Sequence, residues 1–195
     1  MTELPHVFGV MEGQSQGAGW LGLASEGLPP KWFTKDPETR FEEDLPAMVE
    51  SIRNTADLAN NSTYDSVFSA WHSLYEQQDC WAQEQGCPPL LAHLGTSFVE
   101  RMLIDGFCRS EGLSFVDAVH SNALEIDLGR IHPELAGTEP SDWLPARGDP
   151  LSPDILWDLA TLCGWGISQR ENALAMDCLT LCSMPRCNTG SPISR

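Results

Sequence analysis

The chain has 195 residues, with 28 acids against 11 bases and a formal net charge of −17. That length holds one ordinary domain with a real core, or a small domain with an extension, but not a complete eight-stranded α/β barrel, which takes about 250 residues. The acidity excludes nucleic acid and an anionic membrane surface as partners, because phosphate recognition needs clustered Lys and Arg.

Taken in chain order, residues 6–12, HVFGVME, alternate like a short strand. GQSQGAG follows as a turn with three glycines, and WLGLASEG reads as a second strand, so the pair predicts a β-hairpin. LPPKWFTKDP is a loop stiffened by Pro29, Pro30 and Pro37. It carries Lys31 and Lys35, the only lysines in the chain. Thr39 and Glu42 then have the spacing of a capping box. Phe41, Leu45, Met48, Ile52 and Ala56 form one apolar stripe, so a helix is expected from here to about NNST, bent at Pro46.

A second helix is expected over 64–85, burying Val67, Phe68, Trp71, Leu74, Tyr75 and Trp81 and stopped by Gly86. CPPLLAHLG reads as a turn. A third helix is expected over 96–111, with Phe98, Met102, Ile104 and Phe107 inward and Gly112 at its end. Ser114 caps a short fourth helix, FVDAVHS, with Asp117 in its first turn. ALEIDLG reads as a strand or an extended linker. After Pro145 the composition changes. The segment 146–195 holds four cysteines and a Ser/Pro-rich end, and PDILWDLATLCGWG and QRENALAMDCLTLC each fit an amphipathic helix. The expected fold class is α+β: a small antiparallel sheet on a helical bundle, over 1–145, followed by an atypical tail over 146–195.

No apolar run approaches the ~20 residues of a membrane span. MTELPHVFGV lacks the basic-then-apolar order of a signal peptide. Seven irregularly spaced cysteines fit a reduced, cytoplasmic chain. The tail cysteines in CLTLCSMPRC, together with Cys163, are spaced more widely than the C-x2-C pairs of zinc sites and read as incidental thiols. His6, His72, His93, His120 and His132 are scattered singly, and His72 reads as a core-edge or surface residue. Ser97 reads as a cap or first-turn residue. Glu42, Glu43 and Asp44 complement a helix dipole. Glu100 and Asp105, five apart, support packing or capping. Glu26, at the end of the second strand, is offered as an ion-pair partner to Lys31 or Lys35. The KWFTK segment has two accounts. Either Trp32 and Phe33 staple the loop down with both lysines solvated, or the loop leans over a site and presents cations to an anionic ligand.

Two stretches carry a family resemblance over about residues 5–145. GWLGLASEGLPPKWFTKDP resembles the strand and substrate-covering loop of the enolase superfamily's N-terminal capping domain, in the branch of mandelate racemase and muconate-lactonizing enzyme. SFVERMLIDGFCRSEGLSFVDAVHSN resembles that domain's helix with an A-x-E-x-A-L-W-D pattern, Glu100, Met102, Leu103, Ile104 and Asp105 falling in register. The resemblance implies a parent enzyme that is a racemase, dehydratase or cycloisomerase of small carboxylate substrates, using Mg2+ held by a barrel. It makes Lys31, Trp32, Phe33, Thr34 and Lys35 the lid loop that contacts substrate, with no catalytic residue in this chain. Two departures matter. About 50 residues follow the cap region, too few for a barrel, and no lysine follows Lys35, so the family's Lys-x-Lys base pair is absent. The expectation is therefore a truncated or frameshifted product, catalytically silent alone and prone to homo-oligomerise through its bared docking surface. The competing reading is a stand-alone binding module using the KWFTK loop and Glu26 for an anionic ligand or protein partner. A cysteine-dependent enzyme ranks last, since no histidine is placed beside a tail thiol.

Overall fold

The computed structural model describes residues 4–15, 17–60 and 62–144. The tail helices and the four tail cysteines expected from sequence lie outside the described residues.

The chain opens with β1 (His6–Ser15) and β2 (Ala18–Gly27), an antiparallel pair in which His6 faces Gly27 and Ser15 faces Ala18. Both strands run further toward the turn than the glycines of GQSQGAG suggested. Gly17 does turn the chain, at φ +81°, but Gly13 has a different task. A Cβ at Gly13 would overlap the Trp20 indole, and so would one at Gly106. Trp20 therefore packs where two residues lack side chains, and Gly13 remains in the ladder as its cross-strand partner. Along β1, Val7 and Met11 turn toward the core while Phe8 and Val10 stay exposed, the period-two alternation of a sheet covered on one face.

The helices are α1 (Phe41–Asn60), α2 (Val67–Gln85), α3 (Pro89–Glu111) and α4 (Phe115–His120). The α+β expectation holds: a two-stranded antiparallel sheet packs on helices. Helix α3 is the hub, touching both strands and the other three helices. The core gathers around it from Leu28, Met48, Ile52, Leu74, Leu91, Leu94, Phe98, Val99 and Met102. A smaller cluster of Cys108, Ala118 and Leu124 joins the end of α3 to α4.

Local signals explain most boundaries. Ser66 and Ser69 exchange hydrogen bonds at the start of α2, and Gly86 and Gly112 end α2 and α3 at φ +64°, a conformation natural to glycine. Ser114 caps α4 through the Asp117 amide. Three readings are corrected. At the start of α1 there is no full capping box, only its reciprocal half one residue on: the Arg40 N–H donates to Glu43 Oε2 at 2.7 Å, while the Thr39 hydroxyl donates to Asp44 Oδ1 at 2.6 Å. Helix α3 begins at Pro89 rather than near 96, because proline is well suited to a first helical position. Ser97 thus lies inside the helix. The ALEIDLG segment is not a strand: Asn122 and Glu125 adopt positive φ, Asn122 Oδ1 accepts from the Ile126 N–H at 2.7 Å, and a 3-10 turn over Leu128–Arg130 follows.

Three helices meet at a buried polar junction. Gln78 of α2, fully buried, donates to the carbonyls of Ala92 on α3 (2.9 Å) and Ser51 on α1 (3.2 Å), and accepts from Asn54 Nδ2 (2.8 Å). Ser51 Oγ donates to the same Ala92 carbonyl (2.7 Å) and accepts from the Gly95 N–H (3.1 Å). The junction fixes how α1, α2 and α3 register against one another.

Candidate functional site

The loop between β2 and α1 is where the sequence concentrates its unusual residues. It leaves the sheet at Leu28, which is buried and whose N–H donates to the Pro5 carbonyl at 2.9 Å. Three residues later Lys31 takes φ +60°, in the left-handed region, where a residue with a side chain is strained by about 1 kcal/mol or more. That turn sends its ammonium back across the loop. Nζ donates to the Asp36 carbonyl (2.7 Å), to the Thr39 carbonyl and to Thr39 Oγ1 (2.6 Å), and lies 3.0 Å from Asp44 Oδ2. Thr39 in turn donates to Asp44 Oδ1 at 2.6 Å. Asp36 Oδ1 accepts from the Glu38 N–H at 2.9 Å, closing the turn between them.

Lys31 is thus a clasp. It joins the start of the loop to its end and to the first turn of α1, and its hydrogen-bonding capacity is met by the chain itself. The Thr39 hydroxyl holds the Asp44 carboxyl below the usual carboxylate range against the opposing effect of burial, and Lys31 adds a hydrogen bond and its charge. The consequence for stability has a definite sign. A depressed folded-state pKa stabilises the fold above the unfolded carboxylate value of about 4, and that gain is lost as pH falls through the folded value. Lys31→Met should therefore lower the urea midpoint clearly at pH 7 and by less at pH 3, what remains in acid coming from the Nζ bonds to the Asp36 and Thr39 carbonyls. A deficit of equal size at both pH values would show that Lys31 acts through something other than Asp44.

The rest of the loop divides by exposure. Phe33 packs against the main core. Thr34 is half-buried with its hydroxyl turned into protein and without a hydrogen-bond partner. Trp32, 64% exposed, and Lys35 face solvent. Of the two accounts of KWFTK, stapling therefore applies to Phe33 but not to Trp32, and Lys35 faces solvent while the partly exposed Lys31 ammonium is engaged by the loop and by Asp44. Glu26 does not pair with either lysine. It accepts from Arg101 Nη2 at 2.7 Å, because the inward face of β2 brings it onto α3 rather than over the loop.

Arg101 and Asp105 were missed as a pair. One helical turn apart on α3, they cover the outer edge of β2: Arg101 Nη1 donates to the Ser25 carbonyl at 3.0 Å, and Asp105 Oδ2 accepts from the Leu23 N–H at 2.9 Å. The spacing of four was the available signal. Asp105 also accepts from Arg109 Nε at 3.0 Å. Glu100 has no hydrogen bond to another described residue, and burial pushes its carboxyl up to about 7 against the pull of Arg101.

Among the histidines, His93 and His72 are both largely enclosed, with side chains 17% and 16% exposed. The His93 ring stacks on Tyr75 with centroids 3.9 Å apart and planes 3° apart, and Nδ1 lies 3.2 Å from Thr96 Oγ1. Burial holds the imidazole below its usual range, opposed by Asp79 at 3.8 Å. Thr96 is itself buried, so the pair offers no open nucleophile. His72 lies against Phe68 and Trp71, with Nδ1 3.5 Å from Glu76, a core-edge place.

Among the described residues, no three His, Cys, Asp or Glu side chains come together in a group that could hold a metal. Cys80, Cys87 and Cys108 are free thiols. No helix among the described residues is long and apolar enough to cross a membrane. No protein-family model, curated protein or solved structure matches this chain.

Proposed function

We propose that the ordered region is a substrate-capping layer of the kind the enolase superfamily places over its barrel, and that this chain is catalytically silent by itself. The observation that supports the reading is the division of the KWFTK loop. Lys31 and Phe33 hold it down, so Trp32 and Lys35 are presented from a fixed backbone rather than a floppy one. An aromatic surface and a single cation are what a lid needs to cover a small carboxylate and exclude water from it. In this reading Trp32 and Lys35 contact substrate, while Lys31, Phe33 and Thr34 set the loop's shape. The proton-abstracting bases and the Mg2+ ligands belong to a barrel, and the chain's only lysines are already placed in the loop. The compartment is cytoplasmic, consistent with the free thiols of Cys80, Cys87 and Cys108.

The module reading keeps Trp32 and Lys35 as a binding surface, but it loses Lys31 as a free cation for an anionic ligand. Two experiments test the capping proposal. The purified chain, with Mg2+ and a panel of small 2-hydroxy carboxylates in D2O, should leave the α-proton unexchanged by NMR. Exchange would overturn catalytic silence. The coding DNA beyond the Pro145 codon, read in the other two frames, should encode a Lys-x-Lys strand and spaced acidic strand ends. A stretch encoding neither would overturn the capping assignment.

A further inference from the structure

The two edges of the hairpin are not alike. The edge of β2 is covered by Arg101 and Asp105. The other edge, on β1, is unpaired among the described residues: the sheet has two strands and ends there. The groups that point out of it can be identified. In an antiparallel pair, residues alternate between those that bond each other and those whose N–H and C=O both turn away. Leu23 and Ser25 turn theirs away from β1, toward Asp105 and Arg101. Their partners Val10 and Phe8 must therefore turn theirs away from β2, and so must His6, Glu12 and Gln14 by the same alternation. The same even-numbered residues carry the exposed side chains, including Phe8 at 56% and Val10 at 64%.

This edge lacks the usual protections. Ten residues long, it contains no proline, no lysine and no arginine, and its one ionised acid is Glu12. Its order of hydrogen-bonding side chains also complements itself, an imidazole donor facing a carboxylate acceptor. If a second β1 is laid antiparallel with Gly9 opposite Gly9, residue numbers across the seam sum to 18. His6 of each copy then faces Glu12 of the other, and Phe8 faces Val10. All four of these residues offer their N–H and C=O to the seam, so every facing pair exchanges two hydrogen bonds. The neighbouring in-phase register, centred on Val10, would set Phe8 against Glu12 and His6 against Gln14 and lose both matches. At the centre glycine brings no side chain to the crowded, non-bonded pair. The two-fold axis is perpendicular to the sheet, so both helical layers fall on one face of a four-stranded sheet.

We propose that β1 pairs with the β1 of a second copy of this chain, antiparallel about Gly9, giving an isologous dimer with a continuous four-stranded sheet. The charges of the rest of the acidic chain oppose association, which physiological salt screens. The His6–Glu12 pairs select the register, and the backbone ladder holds it.

The test is the mass of the full chain by sedimentation across a concentration series at physiological salt. Three variants accompany it, each checked for a parental circular-dichroism spectrum. The parent should show a monomer–dimer equilibrium. Val10→Pro deletes an edge N–H that β2 does not use and should abolish the dimer. Glu12→Lys should weaken it by roughly tenfold or more, because it removes the carboxylate that accepts from the His6 ring N–H, and the double variant His6→Asp, Glu12→Lys should restore it with an ion pair across the seam. A parent that stays monomeric, as it would if the chain's own remaining segment covered this edge, overturns the proposal. So does a dimer indifferent to Val10→Pro, and so does a double variant no tighter than Glu12→Lys alone.

Discussion

Gly95→Ala should destabilise the fold by about 2–4 kcal/mol, enough to lower the melting temperature by roughly 10 °C in a domain of this size. The intrinsic helical preference points the other way: in the middle of an isolated helix, alanine is favoured over glycine by about 1 kcal/mol. Packing reverses the sign. A Cβ at Gly95 would overlap the Ser51 carbonyl oxygen and Thr55 Oγ1 of α1. The Ser51 carbonyl is backbone and Thr55 is buried, with its hydroxyl bonded to that carbonyl, so neither can simply swing aside. Relief requires α1 and α3 to separate, which also stretches the 3.1 Å bond from the Gly95 N–H to Ser51 Oγ. Gly22→Ala should behave alike, since its Cβ would overlap the Met102 carbonyl where β2 rides on α3. Thermal melts of both variants check this. Stabilisation of Gly95→Ala by helix preference would show that α1 and α3 do not approach as closely as described.

These glycines mark the boundary between what was legible in the sequence and what was not. Hairpin, loop and successive helices were all readable, because each rests on local chemistry: alternation in HVFGVME, an apolar stripe from Phe41 to Ala56, stops at Gly86 and Gly112. Glycines and alanines that serve long-range contacts carry no local mark. Gly13 looked like a turn residue, yet it makes room for Trp20. Ala92 and Gly95 looked like part of a turn after the double proline, yet they form the face where α3 meets α1 and α2. Leu91, Leu94 and Phe98 do keep a helical spacing across that start, but the double proline before it reads as a turn, and that is why α3 was placed from about 96.

The loop shows the same limit in electrostatic form. That Lys31 and Lys35 share one aromatic loop was visible. Their division of labour was not. Lys31 finds Asp44 because it adopts a left-handed backbone and because α1 begins directly after the loop, and neither leaves a pattern of residue types. Asp44 looked like one of three first-turn acids and is the one of them that is buried. Glu26 was matched to Lys31 or Lys35, whereas the strand's inward face delivered it to Arg101, 75 residues away.

Gln78→Glu should cost about 3 kcal/mol at pH 7.5, although it changes a single side-chain group and almost no volume. Gln78 is fully buried, and its amide nitrogen donates to two carbonyls, of Ala92 and Ser51. A carboxylate has nothing to donate, so its oxygen would face both carbonyl oxygens in a site sealed from water. Asn54 Nδ2 would still donate to the other oxygen, which limits the loss. Protonation would restore one donor. The introduced carboxyl therefore has a folded-state pKa above its unfolded value, and the fold regains stability as pH falls through that raised value. Urea titrations at pH 7.5 and pH 5 distinguish this from a packing defect, since the deficit should shrink markedly in acid for Gln78→Glu and not for Gln78→Ala. Gln78→Ala should itself lose about 3 kcal/mol at either pH, from a cavity and the broken bonds together. A pH-independent loss for Gln78→Glu would mean that water reaches the junction. In that case the register of α1, α2 and α3 rests on the apolar contacts of Leu74, Leu91 and Met48 rather than on the Gln78 amide.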